Sequence, residues 1–581
     1  MGNFSNQEVA ELLYEMSQYL EMQDVPFKPR AYEKVAGVIE GLEKNVAETY
    51  KQLGLAALEE IPGVGRGIAE KIEELLKTGK ITDLEKLKKA VPVKLEEFRG
   101  IEGLGPKTIS KLYKKLGIKD LSGLEKAVRS GKISKLEGFG KKSEENILKG
   151  IEFVKKSGGR ATLGFAMSEA KIIESRLRSL GGVKKLAVAG SLRRMKETIG
   201  DIDILAVSEK SAEIMDYFVK MSGVVRVYAH GATKSAIKIK SGLDVDLRVV
   251  PEESYGAALA YFTGSKAHNI ALRTIAIKEG YKLNEYGLFK ETRDKRQGTR
   301  IAGETEEEIY GALGMDYVEP EMRENTGEID LARKHQLPEL VGYKDLQGDL
   351  QVQTNWTDGS DSIEKMAEEA IKNGLKYIAI TDHTKRLAMT HGLDEKRILK
   401  QMEEIDRLNK KFVGKIKILK GSECDILKDG TMDLPDDILA KLDVVGASVH
   451  SYFNLPREEQ TARIKRAMEN PHVDIIFHPT GRIINRRDAY DVDMDELIKT
   501  AKRTGTIMEI DAYPDRLDLK DEHIRKCVEA GVKMSIDSDA HSPKHFPYLE
   551  YGIAQARRGW AGKRDIINTR SVDDMLRLLK K

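Results

Sequence analysis

GSLRRMKETIGDID, residues 190–203, is the stretch that decides how the middle of this chain is built. Side chains alternate between the two faces of a β-strand, so Asp201 and Asp203 share one face while Ile202 and Ile204 take the other. Two carboxylates aimed at one spot repel unless a cation lies between them. A second acidic strand, DVDLRVV at 244–250, repeats the arrangement with Asp244 and Asp246. Together the two strands can form a cluster that holds two divalent ions, which activate a hydroxyl and stabilise an in-line phosphoryl transfer. Upstream, Gly190 and Ser191 follow the strand LAVAG (186–190) and offer backbone N–H groups and a hydroxyl to a triphosphate, which Arg193 and Arg194 can neutralise. D-x-D alone is a weak signal. The Gly-Ser turn at this distance before it, together with the second acidic strand, makes it specific.

Moving outward, the mixed α/β pattern starts near residue 160, and a helical segment at 265–280 follows the second acidic strand. On the N-terminal side a motif repeats three times: IPGVGRGIAEKI (61–72), IEGLGPKTISKL (101–112) and LEGFGKKSEENI (136–147). Each has an apolar residue, then G-x-G, then an amphipathic helical pattern, which is the form of a helix-hairpin-helix. The pairs Gly63/Gly65, Gly103/Gly105 and Gly138/Gly140 permit tight turns whose bare backbone N–H groups can approach a phosphate. Such contacts position DNA without reading its sequence. Three copies in a lysine-rich stretch favour nucleic-acid binding over plain helix connectors.

On the C-terminal side, residues 319–343 carry Pro320, Gly327, Pro338 and Gly342 and read as a linker. Beyond it seven short apolar strands alternate with helical stretches: LQVQ (350–353), YIAI (377–380), KILKG (417–421), VVGASV (444–449), DIIFH (474–478), TIMEI (506–510) and KMSID (533–537). That pattern predicts a parallel β/α barrel with its site at the C-terminal strand ends. Asp358, His383, Glu423, His450, His478, Asp539 and His541 all fall just after those strands. A mixed imidazole and carboxylate set suits Mn2+ and/or Zn2+, and several such ions together suit phosphodiester hydrolysis.

The chain has 581 residues, too many for one core and enough for about three to five domains. Apolar residues make up 40% and charged residues 33%, which excludes wholesale disorder. No stretch approaches the ~18 consecutive apolar residues of a membrane span, and the first residues lack a signal peptide's basic and then apolar pattern. The expectation is a cytoplasmic monomer without membrane contact, and two cysteines, Cys424 and Cys527, fit a reducing compartment. Net charge is only +3, but residues 1–318 hold 53 basic against 46 acidic groups, whereas residues 319–581 hold 44 against 48. Within that, 101–155 carries 13 basic and 7 acidic residues, as expected if the N-terminal half faces phosphates.

Residues 1–318 resemble the family X (polymerase beta-like) DNA polymerases, and the match runs on from the Asp pair through DLRVVPEESYGAALAYFTGSKAHNIALR (246–273). The resemblance implies Asp246 rather than Asp244 as the third ligand, beside Asp201 and Asp203, for two Mg2+ (or Mn2+) ions. It places Tyr261, Phe262 and Gly264 against the incoming nucleotide's sugar, with Asn269 and Arg273 near the base pair. Lys266 departs from an acid carried there by the family's best-known member. AYEKVAGVIEGL (31–42) and IPGVGRGIAEKIEELLKTGK (61–80) are similar to that family's lyase domain, which puts Lys71 on its Schiff-base nucleophile. Lys34 could support the reaction, whereas Gly67 and Asp83 stand where the family member has lysines. Residues 344–581 resemble the PHP (polymerase and histidinol phosphatase) domains of bacterial and archaeal members. Here GDLQVQTNWTDG carries Gln351 and Gln353 in place of an H-x-H pair, which leaves one of that family's three metal sites weak or missing.

The expected architecture is therefore multidomain α+β and α/β. It comprises a lyase-like helical domain (1–88), a helix-hairpin-helix domain (89–155), a nucleotidyltransferase palm (156–250), a nucleotide-binding subdomain (251–318), the linker, and a seven-unit PHP barrel (344–581). The resemblance implies gap filling in base excision repair on gapped or nicked double-stranded DNA with dNTPs. A Mn-dependent 3'-5' exonuclease and a 5'-deoxyribose phosphate lyase are implied as further activities. The alternatives are a repair nuclease or phosphodiesterase centred on the barrel, or a barrel that is only a scaffold.

Overall fold

The computed structural model describes residues 4–579 except 5, 41, 43–44, 99–100, 102–103, 137, 142, 146, 149–150, 152–159, 291–297 and 388–389. The chain divides into two compact units, residues 1–158 with 485–487, and residues 159–484 with 488–581. Among the described residues no helix is long and apolar enough to cross a membrane.

The first unit is helical. Its longer helices, Asn6–Met22, Lys28–Glu40, Arg66–Thr78 and Pro106–Leu116, surround a core that includes Leu13, Ile39, Ile72, Phe98 and Leu112. Arg66–Thr78 shows why: Ile68, Ala69, Ile72, Leu75 and Leu76 recur on one stripe and are all buried. Gly65 stands at its N-cap, and Gly79 ends it in the left-handed conformation at φ 78°. Gly105 and Pro106 open the Pro106–Leu116 helix in the same way, Pro106 lacking only an N–H that the first turn leaves unpaired anyway.

The second unit begins with a five-stranded sheet. Its strands are β1 (Val183–Val188), β2 (Asp201–Ser208), β3 (Val224–His230), β4 (Lys234–Ile239) and β5 (Asp244–Val249). Their spatial order is β1-β2-β5-β4-β3, with β2 and β5 parallel and the other pairs antiparallel. Helices Leu163–Arg178 and Ser211–Lys220 contribute Ala166, Ala170, Ile173, Ile214 and Phe218 to the core behind the sheet. Helices Tyr255–Thr263 and Lys266–Lys278 and a three-stranded antiparallel sheet follow.

Seven parallel strands then form the barrel: β6 (Gly348–Val352), β7 (Tyr377–Ile380), β8 (Lys417–Asp425), β9 (Val444–Ser448), β10 (Ile475–Ile476), β11 (Ile507–Asp511) and β12 (Met534–Asp537). Each pairs with the next in sequence. The backbone of Gln353 donates to the Ala540 carbonyl at 2.8 Å and that of Ala540 to the Gln351 carbonyl at 3.3 Å, so the first strand meets the chain just past the last. All residues of β6, β7, β9, β11 and β12 are buried, the mark of a parallel sheet covered on both faces. β10 is shorter than DIIFH suggested, yet the Phe477 N–H still donates to the Ala447 carbonyl at 3.0 Å.

Residues 319–343, expected as a linker, carry structure of their own: a 3-10 turn at Pro320–Met322 and a helix at Glu328–Arg333. Their charges are buried and paired. Arg323 Nη1 meets Glu306 Oε1 at 2.6 Å, Glu328 Oε1 lies 2.7 Å from His268 Nδ1, and Glu321 Oε1 is 2.8 Å from Arg557 Nε. Pro and Gly content signals turns but is blind to such pairing. The barrel also packs on the polymerase-like part, for Trp560 joins Leu288, Ile309, Tyr310 and Met322 in one core.

Glu306 makes this packing sensitive to acid. Against the upward push of burial, Arg323 and Arg193 hold its carboxyl down to about 2. A depressed carboxyl stabilises the fold fully above its ordinary value of 4.5 and loses that contribution as pH falls toward 2. The expected size is about 3 kcal/mol. Thermal melts should show Glu306→Gln less stable than the parent at pH 7, with the gap narrowing below pH 4.5 and closing only toward pH 2. A gap independent of pH would contradict the assignment.

Two candidate active sites

In the five-stranded sheet the register sets Asp201 opposite Asp244 and Asp203 opposite Asp246, so all four carboxyls lie on one face. Burial, reinforced by Asp201 and Asp246, pushes the Asp203 carboxyl up to about 6. Asp244 is tied to Lys238 at 2.9 Å, and Asp246 to Lys234 at 3.1 Å. The crowding of Asp201, Asp203 and Asp246 is what a bound divalent cation would relieve, and an all-oxygen donor set suits Mg2+ or Mn2+.

Gly190 sits at φ 60°, and a Cβ there would collide with the Asp203 carboxylate, so the turn must be glycine for strand and turn to meet. Ser191 lies in the short helix Gly190–Arg193 that follows. Arg193 is committed elsewhere: its Nη1 reaches Glu306 Oε1 at 2.9 Å and Thr263 Oγ1 at 2.7 Å. Arg194 donates to Glu324 Oε1 from Nε at 3.1 Å and to the Thr263 carbonyl from Nη1. Gly264, at φ 72°, lies against Arg194 Nη1, so the GSLRR and YFTGS segments meet here. The Asn269 side chain donates to the Tyr261 carbonyl at 2.7 Å, and Arg273 and Arg248 lie over the rings of Tyr261 and Phe262. Lys266 is exposed at the start of its helix.

In the helical unit, Gly63 and Gly138 have φ of 85° and 86° and serve tight turns. Gly65, Gly105 and Gly140 have negative φ, and a Cβ at any of them would meet nothing within 4 Å. The described residues leave open space at those three positions, two of which, Gly65 and Gly105, are helix N-caps. Gly103 lies outside the described residues.

Lys71 is poorly placed for Schiff-base chemistry. Its Nζ lies 2.6 Å from Asp83 Oδ2, and that hydrogen bond raises the amine's pKa above the usual lysine range. A nucleophilic amine must be neutral, so Asp83 opposes the reaction that the sequence match implies. Borohydride trapping on DNA with a 5'-deoxyribose phosphate should give little cross-link in the parent chain. At least about tenfold more is expected in Asp83→Lys, which restores a neighbouring cation; efficient trapping by the parent would overturn this.

At the barrel's C-terminal strand ends the seven predicted ligands come together. Asp358, His383 and His541 form one group and His383, Glu423 and His450 another, each with ligand atoms within 4.8 Å of one another. His478 Nε2 is 2.9 Å from Glu423 Oε1, and His541 Nδ1 is 3.7 Å from Asp539 Oδ1. Burial works against charge on Glu423, yet His383, His450 and His478 hold its carboxyl well below the usual range. His450 is raised to about 9 against its burial by Asp425 and Glu423. His478 and Asp539 sit at φ 29° and 50°, backbone strain that the surrounding fold must sustain. His383 Nδ1, His478 Nδ1 and Asp425 Oδ2 are buried without a hydrogen-bond partner. These orphaned donor atoms fit a cation.

Gln351 and Gln353 are mixed: their Oε1 atoms are also buried without a hydrogen-bond partner, but their amide nitrogens are turned to Glu423. Their Nε2 groups donate to Glu423 Oε2 at 3.2 and 2.8 Å, so the carboxamides occupy one Glu423 oxygen that an imidazole-bound ion would otherwise face. Three further groups escaped the sequence reading. Asp425, 3.4 Å from His450 Nδ1, was legible as the residue two past Glu423 on β8. Arg516, 3.5 Å from Asp511 and 3.7 Å from Asp539, and Lys234 had no sequence signal.

A sheet presenting paired carboxylates beside a Gly-Ser turn, joined to a His- and carboxylate-lined parallel barrel, defines a nucleotidyltransferase fused to a metal-dependent phosphoesterase fold. Family models match along the chain: a helix-hairpin-helix domain at 4–81, a SAM-like helix-hairpin-helix tandem at 95–152, the DNA polymerase beta thumb at 258–324 and the PHP domain at 349–561. The chain is 39% identical over 577 residues to the DNA polymerase/3'-5' exonuclease PolX of Bacillus subtilis (strain 168), covering 99% of both proteins. It is 26% identical over 349 residues to DNA polymerase lambda of Rattus norvegicus, covering 55% of this chain and 56% of that one. A probable phosphatase of Thermoanaerobacter sp. (strain X514) is 35% identical over 190 residues, 31% of this chain and 72% of the relative. The chain belongs to the family X DNA polymerases that carry a C-terminal PHP domain.

Proposed function

We propose that this polymerase fills short gaps in double-stranded DNA during base excision repair. The observation that carries the reading is the register of β2 on β5, which sets Asp203 against Asp201 and Asp246. Those three carboxylates would hold two Mg2+ (or Mn2+) ions, which when bound supply Lewis acidity at the primer 3'-hydroxyl and neutralise the triphosphate. Ser191, with its hydroxyl, and Arg194, with its guanidinium, grip the phosphates. Tyr261, Phe262 and Gly264 take the sugar, and Asn269 and Arg273 border the base pair. The 3'-oxygen bonds to the α-phosphorus as the bond to pyrophosphate breaks. The open glycines Gly65, Gly105 and Gly140 support backbone contacts to flanking phosphates, so affinity falls steeply with salt. Buried, unpaired Cys424 and Cys527 are consistent with action in the cytoplasm.

For the barrel we infer a weakened Mn2+- and/or Zn2+-dependent 3'-5' exonuclease held by Asp358, His383, Glu423, His450, His478, Asp539 and His541. The hydrogen bonds from Gln351 and Gln353 to Glu423 favour a second reading, a scaffold without nuclease activity. One assay tests both: a labelled primer at a one-nucleotide gap, with dNTPs and Mn2+, scored for lengthening and shortening. Lengthening that vanishes in Asp201→Ala supports synthesis at the proposed site. Shortening that vanishes in His450→Ala supports the nuclease, and a primer of unchanged length would sink the polymerase reading.

A further inference from the structure

We propose that Arg558, on the barrel's helix Leu549–Arg558, is a positioning residue for nucleotide binding at the polymerase site. It rests on the reading of Arg194 as a phosphate-binding residue. Arg558 lies 364 positions from Arg194 in the chain, yet its Nη1 donates to the Arg194 backbone carbonyl at 2.8 Å and to Glu324 Oε1 at 3.2 Å. Its Nη2 donates to Asp521 Oδ2 at 2.6 Å. Glu324 Oε1 is the same oxygen that accepts from Arg194 Nε at 3.1 Å. One buried guanidinium, 3% exposed, thus holds both the backbone of Arg194 and the carboxylate that orients its side chain.

The neighbouring groups make this a brace rather than a chance contact. Arg557 holds Glu321 at 2.8 Å and the Val341 carbonyl at 3.1 Å, which fixes the 319–324 segment beside the brace. Within that segment the Arg323 carbonyl accepts from the Ser265 N–H at 3.0 Å, next to Gly264. Arg194, Lys196 and Arg558 are three cations around Glu324 and Asp521, so one positive charge is left over for a polyanion. Without Arg558 that surplus disappears, and Glu324 is shared only by Arg194 and Lys196. The carboxylate then competes with a triphosphate for Arg194.

Arg558→Ala in the full chain should raise the KM for dNTP about tenfold in single-nucleotide gap filling while kcat stays within about twofold, the signature of lost binding rather than lost chemistry. Arg558→Lys should recover only part of the effect, since one ammonium cannot match a planar fork bonded to a carbonyl and two carboxylates. Melting temperature and barrel metal content monitor folding; a merely structural role would lower kcat through loss of active protein and leave KM alone. The decisive step is Arg194→Ala combined with Arg558→Ala. If Arg558 acts through Arg194, the second substitution adds almost nothing to KM once the first is present. Additive effects, or an unchanged KM in Arg558→Ala beside a raised one in Arg194→Ala, overturn the proposal. An unchanged KM in Arg194→Ala instead overturns the reading of Arg194 itself.

Discussion

Asp203→Asn should abolish DNA synthesis, by at least about 10³-fold in kcat/KM, while leaving the folded protein as stable as the parent or more so. The two halves of this result have one cause. In the parent, a carboxylate that is largely removed from water faces Asp201 and Asp246, and its carboxyl is pushed up to about 6. Ionising it at neutral pH therefore costs free energy that a neutral carboxamide of the same shape does not incur. The full shift corresponds to about 3 kcal/mol, gained by the variant in metal-free buffer at pH 7 to 8. The sign follows from proton uptake: between pH 4 and 6 the folded parent holds more protons than the unfolded chain, so parent stability falls as pH rises through that window. Mg2+ should raise the melting temperature of the parent and change that of Asp203→Asn much less. A variant that melts well below the parent, or that keeps polymerising, would show that the three carboxylates do not share a cation.

The second large effect concerns the barrel. Gln351→His with Gln353→His should add about one tightly held ion per chain, measured by elemental analysis after exhaustive dialysis against Mn2+ or Zn2+. It should also raise primer shortening about 10- to 100-fold, the usual scale on which ligand environments change metal affinity or activity. In the parent, the two carboxamides supply N–H donors to Glu423, and each hydrogen bond to a charged acceptor is worth about 1.5–3 kcal/mol. They steady a buried carboxylate without a third ion. Imidazoles at the same positions would offer lone pairs instead, and Glu423 would need a cation again. His383→Ala is the matching control, because His383 belongs to both ligand groups and its loss should deplete metal throughout the site. Equal metal content in parent and double variant would refute the substitution of donors for an ion.

Much of this was legible in the sequence for definite reasons. The Asp201/Asp203 and Asp244/Asp246 pairs announce themselves through strand alternation, and the observed register places them as that alternation requires. The seven barrel strands are legible because a parallel sheet buried on both faces leaves continuous apolar runs, and their ends mark where His383, Glu423 and His450 gather. What escaped is long-range pairing. Nothing near Arg193 indicates that Glu306 neutralises it, and nothing near Arg194 indicates Glu324 or Arg558. The same blindness made 319–343 read as a linker: its turns are local and visible, whereas the partners that pair its buried charges, Glu306 and Arg557, lie outside it. Lys71 shows the converse limit, since a motif can carry a nucleophile's position while one neighbour, Asp83, holds the amine protonated.

Trp560 and the arginine pairs put the barrel and the polymerase-like part around one shared core. Swinging one against the other would mean opening buried charges to water and exposing a tryptophan. A primer end passed between the two sites would therefore have to be moved as nucleic acid, without opening this shared core.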